Sequence, residues 1–320
     1  MEQFVNATKA RRNLKTELAL VVCTKDRPDS LSKLLDCIDS QSLTPGRLLI
    51  VDSSQGDVSK HLFRKFSQAS PISTTYLKAE PGLPHQRNVG IYHLMRLDVS
   101  LRPKFVWFLD DDIEFDSHYL ERGIDVFNSA SDLALLGSYD VRGIKPFSKL
   151  ATSIASLQLA KPGKLLRSGL VVPPYPKAKF EECDFVPGFS MLFDAEVFDK
   201  IGFDGSIRMY GEDLEFQMRL SALGKIGCSS DLRVVHNSSP LNRDSWREVS
   251  AFSDGFRWRL HKQFPDKVQG SRVIISSALL FLFGLILSIV EKSGPNFYSA
   301  LGHRDFLCRL VRKEPVEQRL

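Results

Sequence analysis

Between Glu17 and Asp140 the chain alternates apolar runs of strand length with amphipathic stretches of helix length. The apolar runs read ELALVVCT, RLLIVDSS, STTYLKA and KFVWFLDDD. Parallel strands that are buried on both faces carry continuous apolar runs, and a helix usually joins each strand to the next. The order therefore predicts an α/β fold in which helices cover both faces of a mostly parallel sheet.

The second half of the chain is less regular. Five prolines interrupt the pattern between Val141 and Lys179, which predicts a loop region with at most one short helix. Beyond it, GEDLEFQMRLSALG predicts an amphipathic helix that ends at Gly224. The segment KIGCSSDLRVVHN then predicts a further strand.

Length, composition and charge exclude several classes of protein. With 320 residues, 43% of them hydrophobic and 25% charged, the chain can bury a core without disulfide staples. Its net charge of +5 comes from 43 basic and 38 acidic residues, and the excess is spread over the chain, so nucleic acid is not an expected partner. Five separated cysteines without a CxxC pair indicate neither a disulfide framework nor a structural zinc site. The first 16 residues lack the apolar stretch of a signal peptide, which predicts a cytoplasmic location.

One uncharged run, VIISSALLFLFGLILSIV, covers residues 273–290. As a helix, its 18 residues would be about 27 Å long, close to the roughly 30 Å of a bilayer's hydrocarbon core. Basic residues lie on both sides of the run, which fits either one membrane span or a helix that lies in the plane of the membrane. We therefore predict attachment to the cytoplasmic face of the cell membrane, single-pass or peripheral; a buried core helix or a re-entrant segment is the alternative.

Three carboxylates, Asp110, Asp111 and Asp112, directly follow the apolar run FVWFL. In open α/β sheets the carboxyl ends of the strands form the crevice in which ligands bind. Three adjacent carboxylates repel one another unless a cation compensates their charge, and Mg²⁺ or Mn²⁺ is usually held by carboxylates together with substrate phosphates. The triplet therefore indicates a divalent cation and a substrate that carries a diphosphate, although an acidic turn exposed to solvent would look the same.

Other polar residues occupy corresponding places in the pattern. Thr24 and Arg27 follow the first predicted strand, and Asp52 ends the second. Arg87 and Asn88 open a helix, where free N–H groups and the arginine charge suit a phosphate. Each residue also has an ordinary structural explanation as a strand end, turn residue, surface charge or helix cap. Together, however, they lie on neighbouring loops of one crevice.

In this order and spacing, these motifs resemble the family 2 glycosyltransferases. The matching segments, spread over residues 17–236, are VVCTKDRPDSLSKLLDCIDSQ, LLIVDSS, GLPHQRNVG, FLDDDIEF and GEDLEFQMRL. The resemblance implies a GT-A fold, which is a Rossmann-like α/β architecture, and the use of nucleotide-activated sugars. It also implies an inverting transfer of a hexosyl or deoxyhexosyl residue from a nucleoside diphosphate to a hydroxyl group.

The resemblance further implies roles for single residues on the donor side. Thr24, Arg27 and Asp52 would contact the nucleoside. Arg87, with Asn88 beside it, would contact the base or the diphosphate. Asp111 would contact the sugar or the ribose, and Asp110 would support this loop. The set expected to bind the nucleotide sugar is thus Thr24, Arg27, Asp52, Arg87, Asn88, Asp110 and Asp111.

The resemblance also implies that four further residues bind the metal or act on the acceptor. Asp112 resembles the family's metal ligand, and His236 resembles a histidine that some GT-A enzymes place near the metal or the diphosphate. Asp213 looks like the general base, with Glu212 orienting acceptor hydroxyls. The structural alternatives are that Glu212 and Asp213 only favour the N-terminus of their helix, and that His236 is a satisfied structural residue.

The reaction that the resemblance implies needs two separate sets of groups. A cation must stabilise the leaving diphosphate, and a carboxylate on the opposite face must take the acceptor proton. The processive synthases' QxxRW signature is missing, since GFRWR at 255–259 lacks the glutamine. We therefore expect single additions to a glycan or lipid-linked acceptor in cell-surface polysaccharide synthesis. A non-catalytic, membrane-tethered binder of nucleotide sugars or glycans is the alternative.

The sequence leaves the nucleoside open among uridine, thymidine and guanosine. The predicted organisation has five parts, which differ in composition and pattern. They are a polar N-terminal tail (1–16), the GT-A domain (17–240), a basic helical linker (241–272), the membrane-associated or transmembrane helix (273–290) and a basic C-terminal tail (291–320).

Overall fold

The computed structural model describes residues 17–143, 146–207, 210–237 and 245–316. Its central feature is a mixed sheet in the order β3-β2-β1-β4-β8-β6-β9-β5, and β7 pairs with β9. The strands are β1 (Leu18–Thr24), β2 (Arg47–Asp52), β3 (Ser73–Lys78), β4 (Phe105–Asp110), β5 (Ile113–Glu114), β6 (Leu133–Asp140), β7 (Glu181–Glu182), β8 (Ser190–Asp194) and β9 (Lys225–His236).

Six of the nine strands run in the same direction. Strands β1 to β4 all run in one direction, and β6 runs parallel to β9. Strand β8 is antiparallel to both of its neighbours, β4 and β6, so β6 and β9 share the direction of the first four strands. The predicted mostly parallel α/β fold is confirmed.

Helices cover both faces of the sheet. They are α1 (Pro28–Asp39), α2 (Val58–Ala69), α3 (Leu83–Met95), α4 (Tyr119–Ser129), α5 (Pro146–Ser156), α6 (Glu212–Leu220), α7 (Trp246–Gln263), α8 (Gly270–Val290) and α9 (Gly294–Val311). Side chains alternate along β1: Leu20 and Val22 pack with α1 and α4, whereas Val21 packs on the other face with α3 and α6. All of β1 is buried, which explains why it reads as one apolar run.

Close packing accounts for two glycines in this fold. A Cβ atom at Gly123 would lie 2.2 Å from the Trp107 ring, so only glycine lets α4 sit against β4. A Cβ atom at Gly224 would lie 2.9 Å from the backbone oxygen of Asp132. The prediction that Gly224 ends the helix is therefore wrong in detail, because α6 ends at Leu220 and the glycine instead allows the approach to the start of β6.

The register of the parallel strands brings their ends together at one edge. Thr24 pairs with Asp52, and Cys23 pairs with Asp110. Strand β9 carries His236 to the same edge, where it pairs with Ile113 of β5. Thr24, Asp52, the acidic triplet and His236 thus lie at the same edge of the sheet.

Three long helices follow the sheet. Helix α7 begins with a capping box, in which Ser245 and Glu248 bond each other's backbone N–H groups. Helix α8 has a mean hydropathy of 2.8, and within the described ranges it is the one helix long and apolar enough to cross a membrane. Helix α9 lies within the segment predicted as a basic tail. The domain limits drawn from the sequence stay a prediction.

Candidate active site

The acidic triplet is held by residues at the end of β1 and just after it. Thr24 donates a hydrogen bond from Oγ1 to Oδ2 of the buried Asp111, at 2.6 Å. The Arg27 guanidinium bridges two carboxylates, with 2.9 Å to Asp111 Oδ1 and 2.9 Å to Asp112 Oδ2. Because β1 and β4 are neighbours in the sheet, residues far apart in the chain meet at this edge.

Asp110, Asp112 and His236 form a cluster that suits a metal ion. One ligand atom from each lies within 4.8 Å of the other two, and His236 Nε2 lies 3.1 Å from Asp112 Oδ1. Two carboxylates and one imidazole fit Mn²⁺, and Mg²⁺ fits through the oxygen ligands. The sequence placed Asp110 among the donor-binding residues, whereas the structure places it beside the two predicted metal ligands.

Burial and mutual repulsion raise the pKa values of carboxyl groups in the acidic triplet. Burial raises the pKa of Asp111 to about 7, although Arg27 and Thr24 oppose the shift. Burial also raises the pKa of Asp110, and the nearby charge of Asp112 adds to the shift while Arg87 opposes it. A cation among these groups would favour their ionised forms.

Asp52 lies next to the cluster in a separate network at the end of β2. Its carboxylate is fully buried and accepts hydrogen bonds from the Ser54 N–H at 2.7 Å, from the Ser54 hydroxyl at 2.5 Å and from the Tyr76 hydroxyl. Lys78 Nζ lies 3.7 Å from Asp52 Oδ2. An open cavity of about 630 Å³, lined by Ser54, Lys78 and His85, adjoins this network. The sequence analysis did not identify Tyr76 or Lys78.

Asn88 lies apart from the acidic cluster. Its Nδ2 donates to the Phe203 carbonyl oxygen at 2.8 Å, and its Oδ1 accepts from the Phe203 N–H at 2.9 Å. Both ends of the carboxamide thus tie α3 to the segment after β8. Its predicted role in donor binding stays a prediction.

Arg87 connects the acidic cluster to the start of α6. The side chain is 2% exposed, and it donates to Glu212 Oε1 and to the Gly188 carbonyl oxygen, both at 3.0 Å. It also lies 3.7 Å from Asp110 Oδ1. A single buried guanidinium therefore balances carboxylates from two parts of the site.

Asp213 follows Glu212 at the start of α6. The Gly188 N–H donates to Asp213 Oδ2 at 2.9 Å, and the Leu214 N–H donates to Oδ1 at 2.8 Å. Burial, followed by the charge of Glu212, raises the pKa of Asp213 to about 7, while Arg87 opposes the shift. A carboxylate that titrates near neutral pH can accept a proton under cellular conditions.

The sequence analysis missed Gly188. A Cβ atom there would lie 3.0 Å from Asp213 Oδ2 and 3.1 Å from the Arg87 guanidinium. Glycine lets the backbone come close enough for its N–H to bond Asp213 while its carbonyl oxygen bonds Arg87. The Pro-Gly pair in VPGF is a turn signal in the sequence, but it does not reveal these partners.

Comparison with known proteins places the chain in a family. The sequence model of Glycosyl transferase family 2 matches residues 19–202, which is more than half of the chain. The chain belongs to glycosyl transferase family 2. The predicted family is thereby confirmed, and the motifs that carried the resemblance lie largely within the matched residues.

Two curated relatives match this family 2 glycosyltransferase over most of their length. Galactofuranosyltransferase GlfT1 of Mycobacterium tuberculosis is 27% identical over 257 residues, which cover 77% of this chain and 75% of the relative. GlfT1 of Mycolicibacterium smegmatis is 24% identical over 260 residues, with coverage of 77% and 76%.

Solved structures share the fold of this glycosyltransferase. Mannosyltransferase PcManGT from Pyrobaculum calidifontis, in complex with GDP-Man and Mn²⁺, has a TM-score of 0.59 at 13% identity, covering 92% of this chain and 86% of that one. Glucosyl-3-phosphoglycerate synthase from M. tuberculosis, in complex with Mg²⁺ and UDP, has a TM-score of 0.51 at 14% identity, with coverage of 78% and 82%. The predicted GT-A fold is confirmed.

Arg87 is expected to stabilise the fold as well as the site. Removing one partner of a buried ion pair usually costs about 3–5 kcal/mol, because the remaining charge is left buried and unpaired. Arg87→Met should therefore lower the free energy of unfolding by about 3 kcal/mol, measured by urea denaturation. Arg304→Met is the matched control, since Arg304 is 46% exposed and pairs with Asp305 at the surface. Equal effects of the two substitutions would contradict this account of Arg87.

Proposed function

We propose that this protein transfers a hexosyl residue, with inversion, from a nucleoside diphosphate sugar to a hydroxyl of a glycan or lipid-linked acceptor. The proposed setting is cell-surface polysaccharide synthesis. One observation carries the proposal: Asp213, with a pKa raised to about 7, is held by Gly188 apart from the metal-binding cluster, and Arg87 lies between them. Inverting transfer needs this separation of a base from the groups that hold the leaving diphosphate.

On the donor side, Asp110, Asp112 and His236 would hold Mn²⁺ or Mg²⁺. When bound, the ion supplies positive charge that stabilises the leaving diphosphate. Arg27 already contacts two of the carboxylates and lies 26% exposed at the rim, where it can also meet a phosphate oxygen. The cavity beside Asp52 is the proposed place for the nucleoside.

On the acceptor side, Asp213 takes the hydroxyl proton as the acceptor oxygen attacks the anomeric carbon. Glu212 is fixed by Arg87, so its carboxylate is positioned to accept a hydrogen bond from the acceptor. Direct attack from the side opposite the leaving group inverts the anomeric centre and requires no covalent sugar intermediate.

The relatives indicate which donors to test first. The curated relatives are galactofuranosyltransferases, which favours a galactofuranosyl donor among the nucleoside diphosphate hexoses. Helix α8, with its mean hydropathy of 2.8, supports attachment to the cytoplasmic face of the cell membrane. Attachment there would keep the enzyme close to a lipid-linked acceptor.

The proposal is tested by measuring nucleoside diphosphate release from a panel of nucleoside diphosphate hexoses, with Mn²⁺ and with EDTA. We expect slow, metal-dependent hydrolysis of at least one donor in the absence of acceptor. Binding of a donor without turnover, even with an acceptor extract added, would overturn the proposal and favour the non-catalytic binding protein.

The pKa of Asp213 predicts how the rate depends on pH. Glu212 and Arg87 face this carboxylate, and with burial they bring its pKa to about 7. The base is protonated below that pH, so kcat/KM should fall by about tenfold for each pH unit below 7 and level off above it. Initial rates from pH 5.5 to 8.5, with Mn²⁺ kept saturating at each pH, provide the measurement. A flat profile over this range would contradict the assignment.

A further inference from the structure

We propose that α5 and α8 form one docking surface that lies in the plane of a bilayer leaflet. This surface holds the sheet edge with the acidic triplet and His236, which we call the catalytic edge, against the membrane. The surface consists of eight exposed apolar residues, six on these two helices and two in the segment directly after α5. They are Leu150, Ile154, Leu157, Leu159, Ile275, Leu282, Ile286 and Ile289. One part of this inference, that the acceptor comes from the membrane, rests on the proposed function.

Helix α8 packs against the protein at its start and presents an apolar face beyond it. Val273, Ser276 and Ser277 are buried. In contrast, Leu282, Ile286 and Ile289 are 52%, 57% and 78% exposed. With Ile275, they recur at intervals of seven, four and three residues, so they form one continuous stripe on the helix.

Helix α5 adds a second group of exposed apolar residues beside the first. Leu150 and Ile154 lie one helical turn apart and are 57% and 41% exposed, and Leu157, which directly follows the helix, is 61% exposed. The two helices pack together, and Arg272 at the start of α8 donates to the Ser156 carbonyl oxygen at 3.3 Å. Such a combined patch is larger than the scattered apolar residues of an ordinary protein surface.

Contacts between α7 and α9 argue against a span by α8. Ser250 and Ser299 hydroxyls are 2.7 Å apart, and His303 Nδ1 lies 2.8 Å from Asp254 Oδ2. Arg247 also donates to Asp305 at 2.5 Å. Because α7 precedes α8 and α9 follows it, these contacts keep both ends of the apolar helix on the same side of a membrane.

The residues around the surface favour a lipid bilayer as the occupant. The run 273–290 carries no charge, while Lys161, Arg167 and Lys267 are exposed beside the two helices. Basic residues that border an in-plane apolar helix attract anionic lipid headgroups. A docked protein is the competing outcome, and the experiment below includes it.

The docking surface is connected to the catalytic edge. Strand β6 ends there at Asp140, and α5 begins six residues later. Between them, Arg142 donates a hydrogen bond to the carbonyl oxygen of His236. A membrane that contacts α5 would therefore lie beside the proposed metal site, so the acceptor hydroxyl would come from a molecule anchored in that membrane.

Vesicle sedimentation tests the surface directly. The full chain is mixed with phosphatidylglycerol-containing vesicles or with phosphatidylcholine vesicles. We expect binding that is tighter with the anionic vesicles and is weakened at least about tenfold by the double substitution Leu150→Glu and Ile154→Glu in α5. The matched control is Val99→Glu and Leu101→Glu, which changes two residues that are 80% and 51% exposed at the opposite edge of the sheet. Wild-type binding by the α5 variant would overturn the two-helix surface, as would self-association of the protein without vesicle binding.

A labelling experiment distinguishes an in-plane helix from a span. Lys292→Cys, in the turn after α8, is combined with Cys37→Ser, and the exposed Cys308 of α9 is the second thiol. Inverted membrane vesicles, whose cytoplasmic face points outward, are treated with an impermeant maleimide. Both thiols follow α8, so an in-plane helix leaves both on the outward face and we expect both to react. Protection of both thiols until detergent is added would indicate a span and overturn the in-plane arrangement.

Donor hydrolysis and vesicle binding, measured on the same variants, distinguish an error in the proposed function from an error in this inference. Donor hydrolysis in solution depends on the catalytic edge alone, so the α5 variant should hydrolyse the donor at the wild-type rate. Transfer to a lipid-linked acceptor in vesicles should fall together with vesicle binding. If the wild type binds vesicles but hydrolyses no donor, the function is wrong and the docking surface stands.

Discussion

Asp213→Asn is expected to lower kcat for sugar transfer by about 10²- to 10⁴-fold, the usual contribution of a general base. Asparagine has nearly the same shape and keeps one oxygen for the Gly188 N–H, which Asp213 accepts at 2.9 Å. It cannot take a proton from the acceptor. Nucleotide affinity should change little, because the residue lies on α6 and apart from the metal-binding cluster.

The measurement is a steady-state comparison of wild type and variant, with nucleotide binding and thermal stability determined in parallel. A carboxyl group whose pKa is raised by burial destabilises the folded protein above that pKa and has no such effect below the pKa of the unfolded chain. The melting temperature of Asp213→Asn at pH 8 should therefore match or exceed that of the wild type. Asp199→Asn, at a surface aspartate, is the control. Retained turnover in Asp213→Asn would remove this residue from the mechanism.

Asp112→Asn is expected to weaken Mn²⁺ binding by roughly 100-fold, at the upper end of the effects seen when supporting groups around a metal are removed. The substitution leaves Asp110 and His236 but removes the carboxylate that lies 3.1 Å from the histidine. Activity should fall at low Mn²⁺ and recover in part when the ion is raised.

The adjacent aspartate provides the control for this prediction. Asp111 is not part of the cluster, and its two oxygens contact Thr24 and Arg27, so Asp111→Asn should change Mn²⁺ affinity much less. Electron paramagnetic resonance of free Mn²⁺ measures both affinities without a donor. A larger loss in Asp111→Asn than in Asp112→Asn would contradict the assignment of the ligands.

Much of the fold could be predicted because the buried strands have apolar sequences. All seven residues of β1 are buried, and a strand covered on both faces must be apolar throughout. The start of α1 at Pro28 follows from the fixed φ of proline at the first helical turn. Gly224 was misleading because a glycine after a helix can serve a close contact rather than end the helix.

The site could be predicted only in part. Asp110 ends β4, whereas Asp111 and Asp112 form the turn that leads to β5, so the alternation of a strand does not decide which of the three carboxylates come together. The sequence alone therefore could not assign Asp110 to the metal. The partners of Arg87 and Asn88 depend on which chain segments cross α3, and no local pattern specifies Gly188 or Phe203 as those segments.

The arrangement of the C-terminal helices was the least predictable part of the fold. The apolar run of α8 was evident from its composition, but whether it spans or lies in plane depends on contacts between α7 and α9. Those contacts join residues about 50 positions apart, such as Asp254 and His303. The exposed apolar group of α5 lies in a region where prolines interrupt the pattern, so its neighbour could not be predicted.

The central claim is that Asp110, Asp112 and His236 bind a divalent cation at the catalytic edge. It is tested most directly by anomalous diffraction from crystals soaked with Mn²⁺ and a nucleoside diphosphate. The account predicts a manganese peak coordinated by these three side chains and by diphosphate oxygens. A nucleotide bound at this edge without manganese, or manganese bound elsewhere while the three side chains turn toward solvent, would contradict it.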